Sequence, residues 1–426
     1  MKQVLDLHIH SKHSRACSKE LTLPNLDKAC RVKGVDIIAT GDFTFPAWFD
    51  DIKNKLIEER GLYKLKNSDP SRLMGQAAKV KFILSTELAL IYKQGEGHAR
   101  RLHLVVLAPN VKAVEKFNKY LEDRGFNIRS DGRPILGMSA IELCKILFNI
   151  DEKFMVIPAH IWTPWFAVFG SKSGFDSLEE CFGEFTKNIY AYETGLSSDP
   201  EMNWRLSALD NLTLTSSSDA HSLPNIAREA NVYDLAEVSY DEIYRIIKER
   251  DTSKILYTIE FYPEEGMYHL DGHHVCGVRF EPEETKKHKG ICPVCKKKLV
   301  IGVEYRVDEL ADRPLGFRPS NMPNFKKLVE LDKIIAEVFG VKSRNSARVQ
   351  IAYQQLLKKT GASELDILID KPLPELENFT LPEIVEGIKR VRNGNLIVEP
   401  GFDGQYGVVK IFSEIEKKIN RQAALF

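Results

Sequence analysis

At 426 residues the chain exceeds what one hydrophobic core usually organises, so two or three domains are expected. Its 60 basic and 60 acidic side chains cancel, which leaves affinity for nucleic acid to local patches, and 43% hydrophobic content is ordinary for a globular protein. No secretory signal pattern opens the chain and no apolar run could cross a bilayer; with seven cysteines, an odd number, a reducing cytoplasm is the expected location.

Over residues 1–260 short apolar runs alternate with amphipathic segments. Residues 3–9, 35–40, 80–88, 102–108, 154–159, 189–193 and 212–216 read as parallel strands buried on both faces. Helices are predicted over 26–33, 111–123, 139–149, 177–187 and 240–249. Such alternation predicts an α/β barrel or a doubly wound sheet.

The polar residues choose between them. His8 and His10 are two apart in Asp6-Leu7-His8-Ile9-His10-Ser11, so on a strand both imidazoles point the same way. Asp42 follows the second run, Glu87 lies in the third and His103 opens the fourth. His160 follows the fifth, Glu193 ends the sixth, and Asp219 and His221 follow the seventh. In an α/β barrel the strand ends surround one mouth, so these nine residues would converge. Nine ligand-type side chains exceed the needs of one ion. Glu87 or Asp219 could bridge cations, and close-set divalent ions suit phosphoryl chemistry.

Around this set, Trp162 and Trp165 follow His160 and either stack on bases or roof the barrel. Arg100 and Arg101 precede His103 and are candidates for phosphate contact, or belong to a solvated loop.

After Ile259 the composition changes. Cys276, Cys292 and Cys295 have the spacing of a tetrahedral structural zinc, with His273 as fourth ligand and His269 or His274 as alternatives. So small a module needs its ion to fold. Between residues 283 and 360, 17 lysines and arginines face 9 acids. Lys296, Lys297 and Lys298 at the knuckle, and Arg344 and Arg348 near a predicted helix at 346–359, are candidate DNA-backbone contacts. Further helices over 325–339 and 381–391 and a strand pair near 396–398 and 407–411 make residues 320–426 mainly helical. The expected order is therefore a barrel (1–260), a zinc-ribbon-like module (261–319) and a helical DNA-binding domain (320–426). The tail carries Gln422, Leu425 and Phe426, resembling a shortened sliding-clamp binding motif or simply an ordinary tail.

The stretch Asp6–Ser11, Gly41-Asp42, Glu87, His103, His160, Glu193 and Asp219-Ala220-His221 together resemble the motifs of the PHP (polymerase and histidinol phosphatase) superfamily. That resemblance implies a distorted seven-stranded (β/α) barrel with two to three divalent ions, Mg, Mn or Zn, hydrolysing phosphoesters. It implies that His8, His10, Glu87 and Asp219 hold one ion and that Glu87, His103 and His160 hold a second. Asp42, Glu193 and His221 would stand near a third. Many members have Thr-Asp-His where this chain reads Gly41-Asp42-Phe43, which removes an imidazole from the third set. With the knuckle, Gly302-Val303, Arg306-Val307, Glu309-Leu310-Ala311-Asp312-Arg313 and the helical end, the whole chain resembles the archaeal endonuclease Q family. Membership implies nicking of DNA 5′ to deaminated bases (uracil, hypoxanthine, xanthine) or abasic sites by metal-activated water. The ends left would be 3′-hydroxyl and 5′-phosphate, and His8, His10, Asp42, Glu87, Glu193, Asp219 and His221 would be the catalytic set. Two rival readings are a phosphatase of a small metabolite, which leaves the knuckle without a task, and a non-catalytic DNA-binding repair scaffold, which the full ligand set opposes.

Overall fold

Residues 1–67, 80–94, 98–413 and 416 are described in the computed structural model, so the clamp-type tail at Gln422, Leu425 and Phe426 lies outside the described residues. The strands begin with β1 (Lys2–Asp6), β2 (Ile37–Ala39), β3 (Leu56–Glu59), β4 (Leu62–Leu65), β5 (Lys81–Ile83) and β6 (Ser85–Gln94), with β3 and β4 lying outside the predicted apolar runs. They continue with β7 (His98–Leu107), β8 (Ile135–Leu136), β9 (Met155–Pro158), β10 (Ala191–Glu193), β11 (Thr213–Thr215), β12 (Ala230–Asp234) and β13 (Ile255–Glu260). Parallel pairing holds for β1 with β2, β2 with β5, and β10 with β11.

Elsewhere the expectation of parallel strands fails. β7 runs antiparallel to both β6 and β9, and β12 antiparallel to β1. Only residues 95–97 separate β6 from β7, far short of the dozen or so that a parallel crossover needs. This reversal relocates His103. Expected at the start of its strand, it lies mid-strand opposite Ala89, because β7 approaches the mouth from the other direction. Past the sheet edges, Ile161 N donates to Glu193 O, Thr194 N to Thr215 O, Asp219 N to His8 O and His10 N to Ala220 O. Backbone bonds thus run from the end of β9 through β10 and β11 back to the end of β1.

The helices follow their caps. Ser139 and Ser239 accept from Glu142 N and Glu242 N and start Ala140–Ile150 and Tyr240–Lys248; Val111–Asp123 has its predicted bounds. The segment predicted over 177–187 divides into Leu178–Phe182 and a 3-10 turn, because Gly183 adopts φ 53° between them. The predicted helix over 325–339 also divides. Asn324–Lys327 forms β14, parallel to β13, and the helix is Leu331–Val338. Its residues alternate exposed and half-buried, the period of a strand edge. Helices Ala347–Thr360 and Pro382–Asn393 match expectation, and Ile397–Glu399 pairs with Val408–Lys410.

One apolar core runs from Leu5, Val106 and Ile259 to Ile334, Leu356 and Ile388 in the C-terminal helices. The knuckle has its own cluster, Val278, Cys292 and Leu299. No helix among the described residues is long and apolar enough to cross a membrane.

Candidate metal centres

β1 ends inside the sheet and its continuation carries His8 and His10, both buried, toward Glu87 on β6. His8, His10, Glu87 and Asp219 each bring one ligand atom within 4.8 Å of the others, and so do Glu87, His103 and His160. Glu87 is shared. Its Oε2 lies 3.2 Å from His10 Nε2, while Oε1 lies 2.8 Å from His103 Nδ1 and 3.2 Å from His160 Nε2. Asp219 Oδ1 stands 3.1 Å from His10 Nε2, and His8 Nε2 is 3.7 Å from each carboxylate. Yet His8 Nε2, His10 Nε2 and Asp219 Oδ1 are buried with no aligned hydrogen-bond partner. Three buried polar atoms left unmatched at one point would cost the fold dearly, and a cation could satisfy them together. Imidazoles with carboxylates suit Mg, Mn or Zn.

The backbone is bent to make this meeting. Asp42, His160 and Asp219 all take left-handed conformations, at φ 48°, 30° and 45°. Such strain concentrates where the surrounding fold dictates a side chain's direction. Gly195 leaves room for one of them: a Cβ there would stand 2.3 Å from that of His160.

Asp42, Glu193 and His221 belong to neither group. Asp42 Oδ1 lies 3.1 Å from His10 Nδ1, and its Oδ2 accepts from Ser11 N at 2.7 Å and Ser14 Oγ at 2.8 Å. Glu193 stands 3.1 Å from His8 Nδ1 and accepts from His160 N at 3.1 Å. Each carboxylate therefore holds the far nitrogen of an imidazole and turns Nε2 to the centre. His221 Nδ1 donates to the Asp219 carbonyl at 2.8 Å, and its side chain is 32% exposed. Asp42→Asn and Glu193→Gln are each expected to weaken Mn²⁺ binding about 10- to 100-fold in calorimetric titrations, with the fold retained.

Burial works to raise Glu87, but His103, Arg133 and His8 outweigh it and hold the carboxyl well below its ordinary range. Asp219 is lowered likewise, by His10 and His8 against its burial. For His103 burial prevails instead. Burial, against the pull of Glu87, pushes it down to about 4, the neutral form that ligates metals. Arg133 is a site residue that residue-type reasoning missed; its Nη1 donates to Glu87 Oε2 at 2.8 Å. The available signal was Gly132 before it, where a Cβ would meet Asp42 Oδ2 at 2.4 Å.

At the knuckle, His273, Cys276, Cys292 and Cys295 bring their ligand atoms within 4.8 Å of one another. His274 instead pairs with Asp403 at 2.9 Å, and buried His269 lies 3.7 Å from Glu304. Three thiols and one imidazole are a donor set for zinc.

A family model described as the MJ0043 C-terminal domain matches residues 330–395. The uncharacterised protein MJ0043 of Methanocaldococcus jannaschii is 31% identical over 255 residues, covering 58% of this chain but only 31% of that protein's length. The uncharacterised YqxK of Bacillus subtilis is 27% identical over 420 residues, 96% of this chain and 100% of its own. Among solved structures, the lesion-specific endonuclease PfuEndoQ of Pyrococcus furiosus superposes with TM-score 0.83 at 29% identity, covering 98% of this chain and 97% of its own. The chain is an endonuclease Q-type protein. Endonuclease Q bound to a 27-mer duplex with an abasic lesion at its active site gives TM-score 0.81 at 29% identity, covering 97% and 98% of the two chains.

In this endonuclease Q-type protein several expected DNA contacts are otherwise engaged. Trp162 is 1% exposed, packs on Phe169 and donates Nε1 to Asn203 Oδ1 at 2.7 Å, so it roofs the core and offers no face to a base. Arg100 lies over the Phe175 ring and donates to the Gly174 carbonyl. Arg344 pairs with Glu330 and Asp332 at 2.9 Å each, tying the helical end together. Trp165, 40% exposed, stands edge-on to Tyr268. Arg101, Arg348, Lys296, Lys297 and Lys298 are exposed.

Proposed function

We propose that the chain is a DNA repair endonuclease that hydrolyses the phosphodiester 5′ to deaminated bases (uracil, hypoxanthine, xanthine) or abasic sites, leaving 3′-hydroxyl and 5′-phosphate ends. The observation that carries this reading is Glu87, whose two oxygens serve two adjacent candidate metal groups. The likeness to endonuclease Q on an abasic duplex supports the substrate class. The reading takes residues 1–260 as the distorted seven-stranded PHP barrel, supported by the backbone bonds that run from β9 round to β1. Residues 261–319 are then a zinc ribbon and 320–426 a DNA-binding helical domain.

Divalent cations held by the two groups would acidify an attacking water and neutralise the phosphate and leaving oxygens. The chain's own residues have separate tasks. Asp42 and Glu193 orient His10 and His8; Arg133, beside Glu87 and partly open to solvent, meets an arriving phosphate oxygen. A cleft of about 460 Å³ opens among Thr163, Trp165, Arg228, Tyr268 and Tyr406, and Thr163 on its wall stands 2.8 Å from His160 Nδ1. An extruded nucleoside fits that volume and could stack on its aromatic rings.

The test is nicking of a uracil-containing duplex with Mg²⁺ or Mn²⁺, beside turnover of a small phosphomonoester. Cleavage at the lesion with no comparable monoester turnover is expected. Monoester turnover alone would establish a metabolite phosphatase, and DNA binding without cleavage a repair scaffold. Replacing Lys296, Lys297 and Lys298 together by alanine should weaken binding to damaged and intact duplex alike and flatten the log–log salt slope by up to about 2.7.

A further inference from the structure

The knuckle module reaches the loop behind the candidate metal centres through a buried side chain, Arg306, besides the edge-on contact of Tyr268 with Trp165. The helix Val303–Leu310 is bonded to the strand that carries His273. Gly302 N donates to Asp271 Oδ1 at 2.6 Å, Val303 N to Tyr268 O at 2.8 Å, and Gly272 and Val300 exchange backbone bonds. From that helix Arg306, 8% exposed, crosses to the loop that follows His160. Its Nε donates to Phe169 O at 3.1 Å, and Nη2 donates to Phe175 O at 3.0 Å and to the Asp176 carboxylate. Nη1 is held by Glu309 Oε2 at 2.6 Å.

The gripped loop is what supports two ligand-type histidines. Phe166 O accepts from His103 N at 2.9 Å, and the Phe166 ring packs on the His103 ring with centroids 4.6 Å apart. Thr163 Oγ1 stands 2.8 Å from His160 Nδ1. Phe169 N donates to Ile161 O at 2.9 Å, closing the loop directly behind His160. His160 and Phe166 both sit at positive φ, 30° and 61°, so neither position is held by local preference and an outside grip is needed. A planar guanidinium with its donors spent on two carbonyls and two carboxylates supplies one.

We infer that Arg306 is a positioning residue, through which the Cys/His module fixes the loop that places His103 and His160 beside Glu87. The module then aligns the reacting centre as well as gripping DNA. This rests on the endonuclease reading for its kinetic readout only.

The experiment compares wild type, Arg306→Met, and the milder double variant Asp176→Asn/Glu309→Gln, whose exposed carboxylates steady the guanidinium and whose folding should be undisturbed. With zinc content confirmed at one per chain, Arg306→Met is expected to lower kcat for nicking about 10- to 100-fold with KM for DNA within about twofold of wild type. The double variant should follow in the same direction by several-fold. Deuterium uptake should rise in peptides spanning 161–175 and not in β1 or β6. A raised KM at unchanged kcat would overturn the inference, leaving the module a DNA grip only. Unchanged uptake over 161–175 in both variants would also overturn it. Should wild type fail to nick, the endonuclease reading falls, while the exchange measurement still decides whether Arg306 holds the loop.

Discussion

Glu87→Gln is expected to lower nicking by about 10³-fold or more and to remove divalent-ion binding at both groups. The size follows from its position. Glu87 contributes an oxygen to each set, so one substitution would weaken two sites that, in the proposed reaction, together offset charge on the transferring phosphate. An amide at that position also presents an N–H to at least one of His10, His103, His160 or Arg133, which now face a carboxylate. Asp219→Asn is the informative companion, because Asp219 belongs to one group alone. Titration with Mn²⁺ should show two binding phases in wild type, one in Asp219→Asn and none in Glu87→Gln. Residual nicking by Glu87→Gln above about one hundredth of wild type would show that the two groups do not act as one centre.

Cys292→Ser is expected to release a structural ion from the Cys/His grouping and to unfold the module around it. The cluster there consists of Val278, Cys292 and Leu299, with Phe280 packed at its edge. Three small side chains, each worth about 2 kcal/mol on burial, cannot order some thirty residues. A structural zinc held there would contribute about 10–16 kcal/mol, so the ion rather than the core would hold the fold. Metal analysis should find the variant lacking one zinc per chain, and limited proteolysis should open the region 271–300 while residues 1–260 resist. Full zinc occupancy in Cys292→Ser would mean that the Cys/His grouping is not the ion's site. Lys296, Lys297 and Lys298 follow Cys295 directly, so their placement is lost with the ion and duplex affinity should fall as well.

Much of the candidate centre was legible as residue types at a spacing. His8 and His10 share a strand face because strand residues alternate, and Cys292 and Cys295 are close because a knuckle turn joins them; both follow from local geometry. The placing of His103 was not legible. It depends on β7 folding back along β6, and an apolar run reads the same in either direction. Residue type offered Glu87 or Asp219 as the bridge, and only the tertiary contacts distinguish Glu87, in two groups, from Glu193, which stands behind His8. Both are buried acids near a strand end, and only their neighbours differ. Trp162 and Trp165 make the same point. Three residues apart on one loop, one is sealed beneath Phe169 and the other opens toward Tyr268.

The chain's order of residues determined most strand and helix segments, the donor types available to metals, and a cysteine cluster poor in core. These are properties of short stretches, set by side-chain period, turn chemistry and burial. Which nitrogen of His10 faces Glu87, why Arg133 meets that carboxylate, and how Arg306 reaches the loop behind His160 were decided by the tertiary structure alone. Each is a contact between segments far apart in the chain, and its geometry exists only once the strands have closed around their common core.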